Sequence, residues 1–290
     1  MKRKANTTFG SAWLLRLLVV TLRYVDVRLT YVFAAIFVVP VCLVTNASRR
    51  TSWHYMRRRM GYGRLRAAWG VYLNHCMFAQ AVIDRFAMFA GRRFNITVEG
   101  YSHYNRLASR PEAFLILSAH VGCYEVAGYS LAARDKRFNA LVYGGEKETV
   151  MQGRRRQLDS NNIRMIPVTA DMSHLFLVNN ALADGEIVSM PADRTVGSAK
   201  MVSATLLGAE AQFPQGPFAV ATMRGLDVLA VNVMKTTSTG YTVIVTPLHY
   251  DRTLPRRQQQ SQLAAVYAEE LGRVLQKHPA QWYNFYEFWP

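Results

Sequence analysis

Hydrophobic and polar positions along the chain change their period twice. Residues 29–45, "LTYVFAAIFVVPVCLVT", form an uncharged apolar run. A helix of that length spans about 26 Å at 1.5 Å per residue, slightly short of a hydrocarbon core of roughly 30 Å. Upstream, "AWLLRLLVVTLRYVDVR" is also apolar but carries Arg16, Arg23, Asp26 and Arg28, which suits a helix lying in an interface with its charged side chains reaching outward. Pro40 is expected to kink the uncharged run. Basic residues flank it on both sides, Lys2, Arg3 and Lys4 before and Arg49, Arg50, Arg57, Arg58 and Arg59 after. The charge bias therefore fixes no orientation, and a monotopic or re-entrant hairpin fits better than a clean crossing. A pair of buried core helices is the plainer alternative. A cleaved signal peptide fits poorly, because arginines interrupt the apolar stretch and no small-residue cleavage site follows it.

Residues 52–91 read as helix. Leu65, Ala68, Trp69 and Tyr72, then Phe78, Val82 and Phe86, recur at intervals of three and four, and Gly91 can cap the end. After residue 93 the pattern becomes short β-prone runs, "FNITVEG", "AFLILSAH", "FNALVYGG", "RMIPVTA", "GEIVSMPA", "VLAVNVMK" and "GYTVIVTPL", with helical segments between several of them. That alternation predicts an α/β fold with a mixed, largely parallel sheet flanked by helices, preceded by an N-terminal helical membrane anchor at 1–50. In such sheets chemistry collects at the carboxyl ends of the strands. His54 and His75 stand alone and read as structural.

Charge narrows the partners. The formal net charge is +16, which favours an anionic partner such as nucleic acid, lipid headgroups or a phosphorylated substrate. The arginines of "MRRRMGYGRLR" are either a solvated helix face or, placed just after an apolar anchor, a contact with anionic lipid. Arg154, Arg155 and Arg156 admit the same two readings, as a solvated face or as a surface for an acidic partner. Three widely spaced cysteines without a CxxC indicate neither a disulfide framework nor a zinc site. No phosphate loop of the GxxxxGK or GxGxxG type is present.

Chemistry concentrates in "FLILSAHVGCYEVAGY". His120 stands where the buried-strand run ends and "VGCYE" turns toward a helix. Five residues rotate a helix by about 500°, so His120 and Glu125 cannot share a helix face. With His120 in the loop and Glu125 in the first helical turn, Gly122 would let the carboxylate fold back onto the imidazole. The carboxylate then fixes the tautomer and leaves the other ring nitrogen free to take a proton. A satisfied structural histidine is the alternative. A thioester is an electrophile that such a pair could use without a serine or cysteine nucleophile, since its thiol leaves with a pKa near roughly 8.5.

"SAHVGCYE" resembles the H-x4-D/E motif of the lysophospholipid acyltransferase superfamily, in particular the branch of the bacterial lipid A lauroyl and myristoyl acyltransferases. "RRTSWHYMRRRMGYG", "VYLNHCMFAQAVIDR", "MPADR", "LLGAEAQFPQGPFAVATMRGLDVLAVNVMK" and "YAEELGRVLQKHPAQWYNFYEFW" follow in the order of that branch. Where many members have Asn and Trp, this chain has Cys123 and Tyr124. The resemblance implies an acyltransferase domain at 51–290 that moves a fatty acyl chain from acyl carrier protein, ahead of coenzyme A, to a hydroxyl or amine of a membrane glycolipid. His120 would be the general base, oriented by Glu125, at the cytoplasmic face of the bacterial inner membrane, with no bound cofactor or metal. Asp193 and Arg194 of "PADR" would lie at the same sheet edge. There Arg194 could bind an acceptor phosphate or an oxyanion, or form a local ion pair with Asp193. Gly216 and Pro217 would open a helix whose free N–H groups attract an anion, unless they make an ordinary Gly-Pro turn. The tail "WYNFYEFW" suits either an interfacial belt or, better, packing of the C-terminus onto the domain with Tyr and Trp tips reaching partners. Two rival classes are a basic binding protein for nucleic acid or membrane surfaces, which shows no recognition signature, and a lipid hydrolase, which lacks a GxSxG elbow.

Overall fold

The computed structural model describes residues 12–126, 131, 136–143, 162–169, 171–195 and 200–289, with side chains from 17 onward. Arg154, Arg155 and Arg156 lie outside the described residues.

Helix α1 (Ala12–Tyr24) leads into α2 (Val27–Phe33), which Asp26 caps by accepting a hydrogen bond from the Arg28 N–H. A wide turn at Ala34–Val38 joins α2 to α3 (Val39–Thr45), so residues 27–45 form one helix of 19 residues. The widening sits just ahead of Pro40, whose ring nitrogen cannot close the ordinary ladder. α4 (Ser48–His54) follows, with a second wide turn at Tyr55–Arg59, and then the long α5 (Arg64–Phe89). The single helix expected over 52–91 is therefore interrupted. Gly61 takes a positive φ of 67°, and the Tyr62 N–H bonds back to the Met56 carbonyl. At the far end Gly91 has a φ of +88° and terminates α5 as expected.

The described strands form a seven-stranded sheet in the order β1-β9-β8-β2-β5-β3-β4. They are β1 (Asn95–Glu99), β2 (Phe114–Gly122), β3 (Phe138–Tyr143), β4 (Ile163–Val168), β5 (Ile187–Pro191), β8 (Asp227–Thr237) and β9 (Gly240–Leu248). Every pairing is parallel except β8 with β9. β6 (Met201–Leu206) and β7 (Ala209–Pro214) make a separate antiparallel ribbon. Helices α6 (Tyr101–Ala108), α7 (His174–Ala183), α8 (Gln215–Arg224) and α9 (Arg256–Lys277), with a short 3-10 turn at Pro279–Gln281, complete the described elements.

Alternation along β2 builds a core on each face, as a strand covered on both sides requires. Leu115, Leu117 and Ala119 join Phe218 of α8 and Leu263, Tyr267 and Leu271 of α9, whereas Phe114 and Ile116 join Tyr104 and Leu107 of α6. The N-terminal helices pack on α5 through Leu22, Val27 and Tyr31 against Ala87. Below that contact the Asp84 carboxylate of α5 accepts hydrogen bonds from Tyr31, Tyr241 and Lys235. Lys235 also donates to the Tyr31 hydroxyl at 2.9 Å. Tyr31 thus ties the helix at residues 27–45 to a buried charge pair that joins α5 to β8.

Candidate active site

Regular pairing of β2 stops at Ser118, just ahead of His120, although the strand itself runs on to Gly122. Against β5 the last paired residues are Ser118 and Pro191. Against β8 the register jumps from Ser118–Val231 to Gly122–Val233, four residues on β2 facing two on β8. His120 lies inside this bulge. Gly122 closes it with a φ of +53°, and a Cβ there would sit 1.8 Å from the Val233 carbonyl oxygen.

The bulge turns the His120 ring toward the end of β5. Its Nδ1 lies 2.7 Å from Asp193 Oδ1, and its backbone N–H donates to Asp193 Oδ2 at 2.8 Å. Trp282 Nε1 donates to Asp193 Oδ2 at 3.0 Å, and the Tyr286 hydroxyl donates to the Asp193 carbonyl at 2.7 Å. Asp193 is 1% exposed and His120 22%. Burial alone would push the Asp193 carboxyl up. The neighbouring charge of His120, together with hydrogen bonds from its ring, its N–H and Trp282, holds it instead below the usual carboxylate range. An ionised carboxylate only accepts, so the hydrogen on the bond must belong to His120 Nδ1. Nε2 is left as the basic nitrogen.

The partner of the histidine ring is therefore Asp193, in place of the Glu125 expected from spacing. Because β2 continues to Gly122 and the Cys123 N–H bonds to the Val233 carbonyl, the chain reverses later than expected, and the Glu125 carboxylate pairs with Arg85 of α5 at 3.1 Å. Tyr124 sets its ring edge-on to His120, with centroids 6.0 Å apart. Burial pushes the Cys123 thiol up to about 12, which keeps it protonated and unsuited to attack. Arg194 is exposed beside Asp193 and forms no ion pair with it. Gly216 and Pro217 do open a helix, α8, with Gly216 exposed and Pro217 buried. Among the described residues no hydrogen bond joins that turn to His120 or Asp193. The aromatic tail packs onto the domain. Trp282 forms an antiparallel bridge with Val121, and the Tyr283 N–H donates to the His120 carbonyl at 3.0 Å. His75 is structural, held between Ser48 and the Val71 carbonyl. No group of metal-ligating side chains is found among the described residues.

Sequence reasoning placed Trp282 and Tyr286 in a packed tail without connecting them to the histidine. Their only sequence signal is the density of aromatics, six in the eight residues from Trp282 to Trp289.

The sequence model of a family described as bacterial lipid A biosynthesis acyltransferase matches residues 80–289, which include His120, Asp193 and the tail. The chain belongs to this family. As a member it is an acyltransferase. Among solved structures it is similar to the 1-acyl-sn-glycerophosphate (LPA) acyltransferase PlsC from Thermotoga maritima, with 13% sequence identity, a TM-score of 0.38, and coverage of 89% of this chain and 99% of that one. Among curated proteins none matches the chain.

Proposed function

We propose that this acyltransferase moves a fatty acyl chain from an acyl thioester, carried by acyl carrier protein ahead of coenzyme A, to a hydroxyl or amine of a membrane glycolipid. The observation that carries the reading is the His120–Asp193 pair, in which a buried carboxylate fixes the imidazole and leaves Nε2 basic. Nε2 takes the proton as the acceptor oxygen or nitrogen attacks the thioester carbonyl. The tetrahedral intermediate collapses with cleavage of the C–S bond, and the imidazolium returns its proton to the departing thiolate. Asp193 balances the transient positive charge. Arg194 and the Gly216–Pro217 turn are offered to the acceptor or the oxyanion. Arg154 and Arg155 are offered to the acidic carrier. Glu125, paired with Arg85, positions the turn after the bulge rather than the ring.

A lipid acceptor requires a membrane surface. The helix at residues 27–45 packs Tyr31, Ala34 and Val39 inward and leaves Val32, Phe33, Ile36, Phe37, Val41 and Val44 exposed. Lying against α5 and bearing an apolar outer face, it supports monotopic attachment at the cytoplasmic face of the bacterial inner membrane, where a net charge of +16 favours anionic lipid. Whole-lipid mass spectrometry of cells expressing wild type, His120→Ala or an empty vector tests this reading. A lipid heavier by one acyl group with wild type alone supports it. The same new lipid from both proteins would remove His120 from the chemistry, and free fatty acid without transfer would mark a hydrolase.

A further inference from the structure

Asn74 stands on the buried face of α5, where Ala67, Gly70 and Val71 precede it at helical spacing. It is 1% exposed. A carboxamide placed there costs stability unless both of its ends are hydrogen-bonded, and here both ends find partners. Asn74 Nδ2 donates to the Ala280 carbonyl at 3.0 Å and to the Trp282 carbonyl at 2.9 Å, and Oδ1 accepts from the hydroxyl of Ser52 on α4 at 3.2 Å. Two carbonyl oxygens on one side can be met only by the NH₂ end, so the partners themselves fix the orientation of the amide.

One of these bonds leads to the candidate site. The Trp282 carbonyl held by Asn74 belongs to the same planar peptide unit as the Tyr283 N–H, which donates to the His120 carbonyl at 3.0 Å. The Trp282 indole, on the residue that opens this peptide, donates to Asp193 Oδ2 at 3.0 Å. A single rigid peptide and the side chain beside it therefore grip both members of the pair, His120 by its backbone and Asp193 by its carboxylate. The neighbouring anchor of the tail has a different reach. Gln281 donates to the Lys235 carbonyl and accepts from the Lys235 N–H, each at 2.8 Å, which fastens the tail to β8 without touching the Trp282–Tyr283 peptide.

A general base works only close to its productive geometry, and a shift of about 1 Å imposed from a distance can cost on the order of 10²-fold in rate. We propose that Asn74 is a positioning residue for the His120–Asp193 pair, acting through the Trp282–Tyr283 peptide, with Ser52 setting its amide. Its effect on turnover rests on the acyl-transfer reading. Its effect on the histidine ring does not.

The test uses the full-length protein in detergent, with its histidine ring nitrogens isotopically labelled. NMR follows the Nδ1–H proton of His120, assigned by its absence from His120→Gln. Asn74→Leu removes the donor at similar volume, and Gln281→Met removes the other tail anchor as a control. In Asn74→Leu the proton is expected to exchange with solvent about tenfold faster than in wild type, and kcat for acyl transfer to fall about tenfold with KM within about twofold. Gln281→Met should be destabilised in urea yet keep both the exchange rate and kcat within about threefold of wild type. Ser52→Ala leaves both tail carbonyls with their donor, so it should fold normally and move exchange and kcat in the same direction as Asn74→Leu by about threefold. An Asn74→Leu protein that loses stability while exchange and kcat stay at wild-type values overturns the proposal and leaves Asn74 a clamp on the tail. Equal losses in Asn74→Leu and Gln281→Met overturn it as well. If Asn74→Leu does not fold, Ser52→Ala decides, and wild-type exchange and kcat in that variant overturn the proposal. If the exchange rates shift as expected but wild type transfers no acyl group, it is the acyl-transfer reading that fails and the positioning role stands.

Discussion

His120 and Asp193 each stand two residues beyond Ser118 and Pro191, the last residues paired between the neighbouring parallel strands β2 and β5. The Ala192 N–H still donates to the Ser118 carbonyl at 2.9 Å, and one step further the Asp193 side chain accepts from the His120 N–H in place of a ladder bond. Sheet register therefore puts the carboxylate opposite the imidazole.

The donor on the far side of that carboxylate should tune the pair. Trp282→Phe keeps the aromatic packing but removes the hydrogen bond to Asp193 Oδ2. Hydrogen bonds to charged groups are worth about 1.5–3 kcal/mol. Steady-state kinetics should show kcat lowered by roughly 10-fold to 100-fold with KM little changed. An unaltered kcat would reduce Trp282 to packing.

Gly122 holds the bulge that turns the histidine out of the strand. In Gly122→Ala the new Cβ would meet the Val233 carbonyl, which is backbone and cannot move aside cheaply. The expected outcome is a loss of several kcal/mol in urea unfolding, in line with strain at such φ values together with a buried clash. Wild-type stability would mean that the bulge is not as tight as described.

Much of this site was legible in the sequence, and what was missed has a physical cause. "AFLILSAH" announced a buried strand ending near a titratable group, and "MPADR" placed Asp193 at another strand end. Their partnership depends on β2 and β5 being neighbours, a long-range pairing that no local period encodes. Glu125 was favoured because it is close in sequence, whereas the bulge and the late reversal at Gly122 direct it to Arg85. The alternation of strands and helices gave the largely parallel sheet, and Gly61 and Gly63 in "MGYG" carried an unused signal for the break before α5.

The buried Asp84–Lys235 pair should be asymmetric under mutation. Replacing one partner, as in Lys235→Met, strands Asp84 among Tyr31 and Tyr241 and should cost about 3–5 kcal/mol. Adding Asp84→Leu should recover much of that loss. Chemical denaturation of the two single variants and the double variant measures the coupling, and additive effects would argue against a functioning ion pair.

Acidification should act through Asp193. Its pKa is depressed in the folded state, so its contribution to stability is complete above the unfolded value of about 3.9 and is lost as pH falls through the lower folded value. Urea unfolding of wild type and Asp193→Asn should therefore show a stability difference that is constant near neutrality and shrinks below about pH 4. A difference that first shrinks between pH 6 and 8 would contradict an ionised, well-bonded carboxylate.

The most direct measurement is the single-turnover rate of acyl transfer from an acyl thioester by purified wild type, Asp193→Asn and Glu125→Gln. The His120–Asp193 pairing requires Asp193→Asn to lose on the order of 10²–10⁴-fold in rate, the usual worth of a positioned general base, with Glu125→Gln retaining the larger activity. Near-normal transfer by Asp193→Asn alongside an inactive Glu125→Gln would show that the acid orienting His120 during catalysis is Glu125.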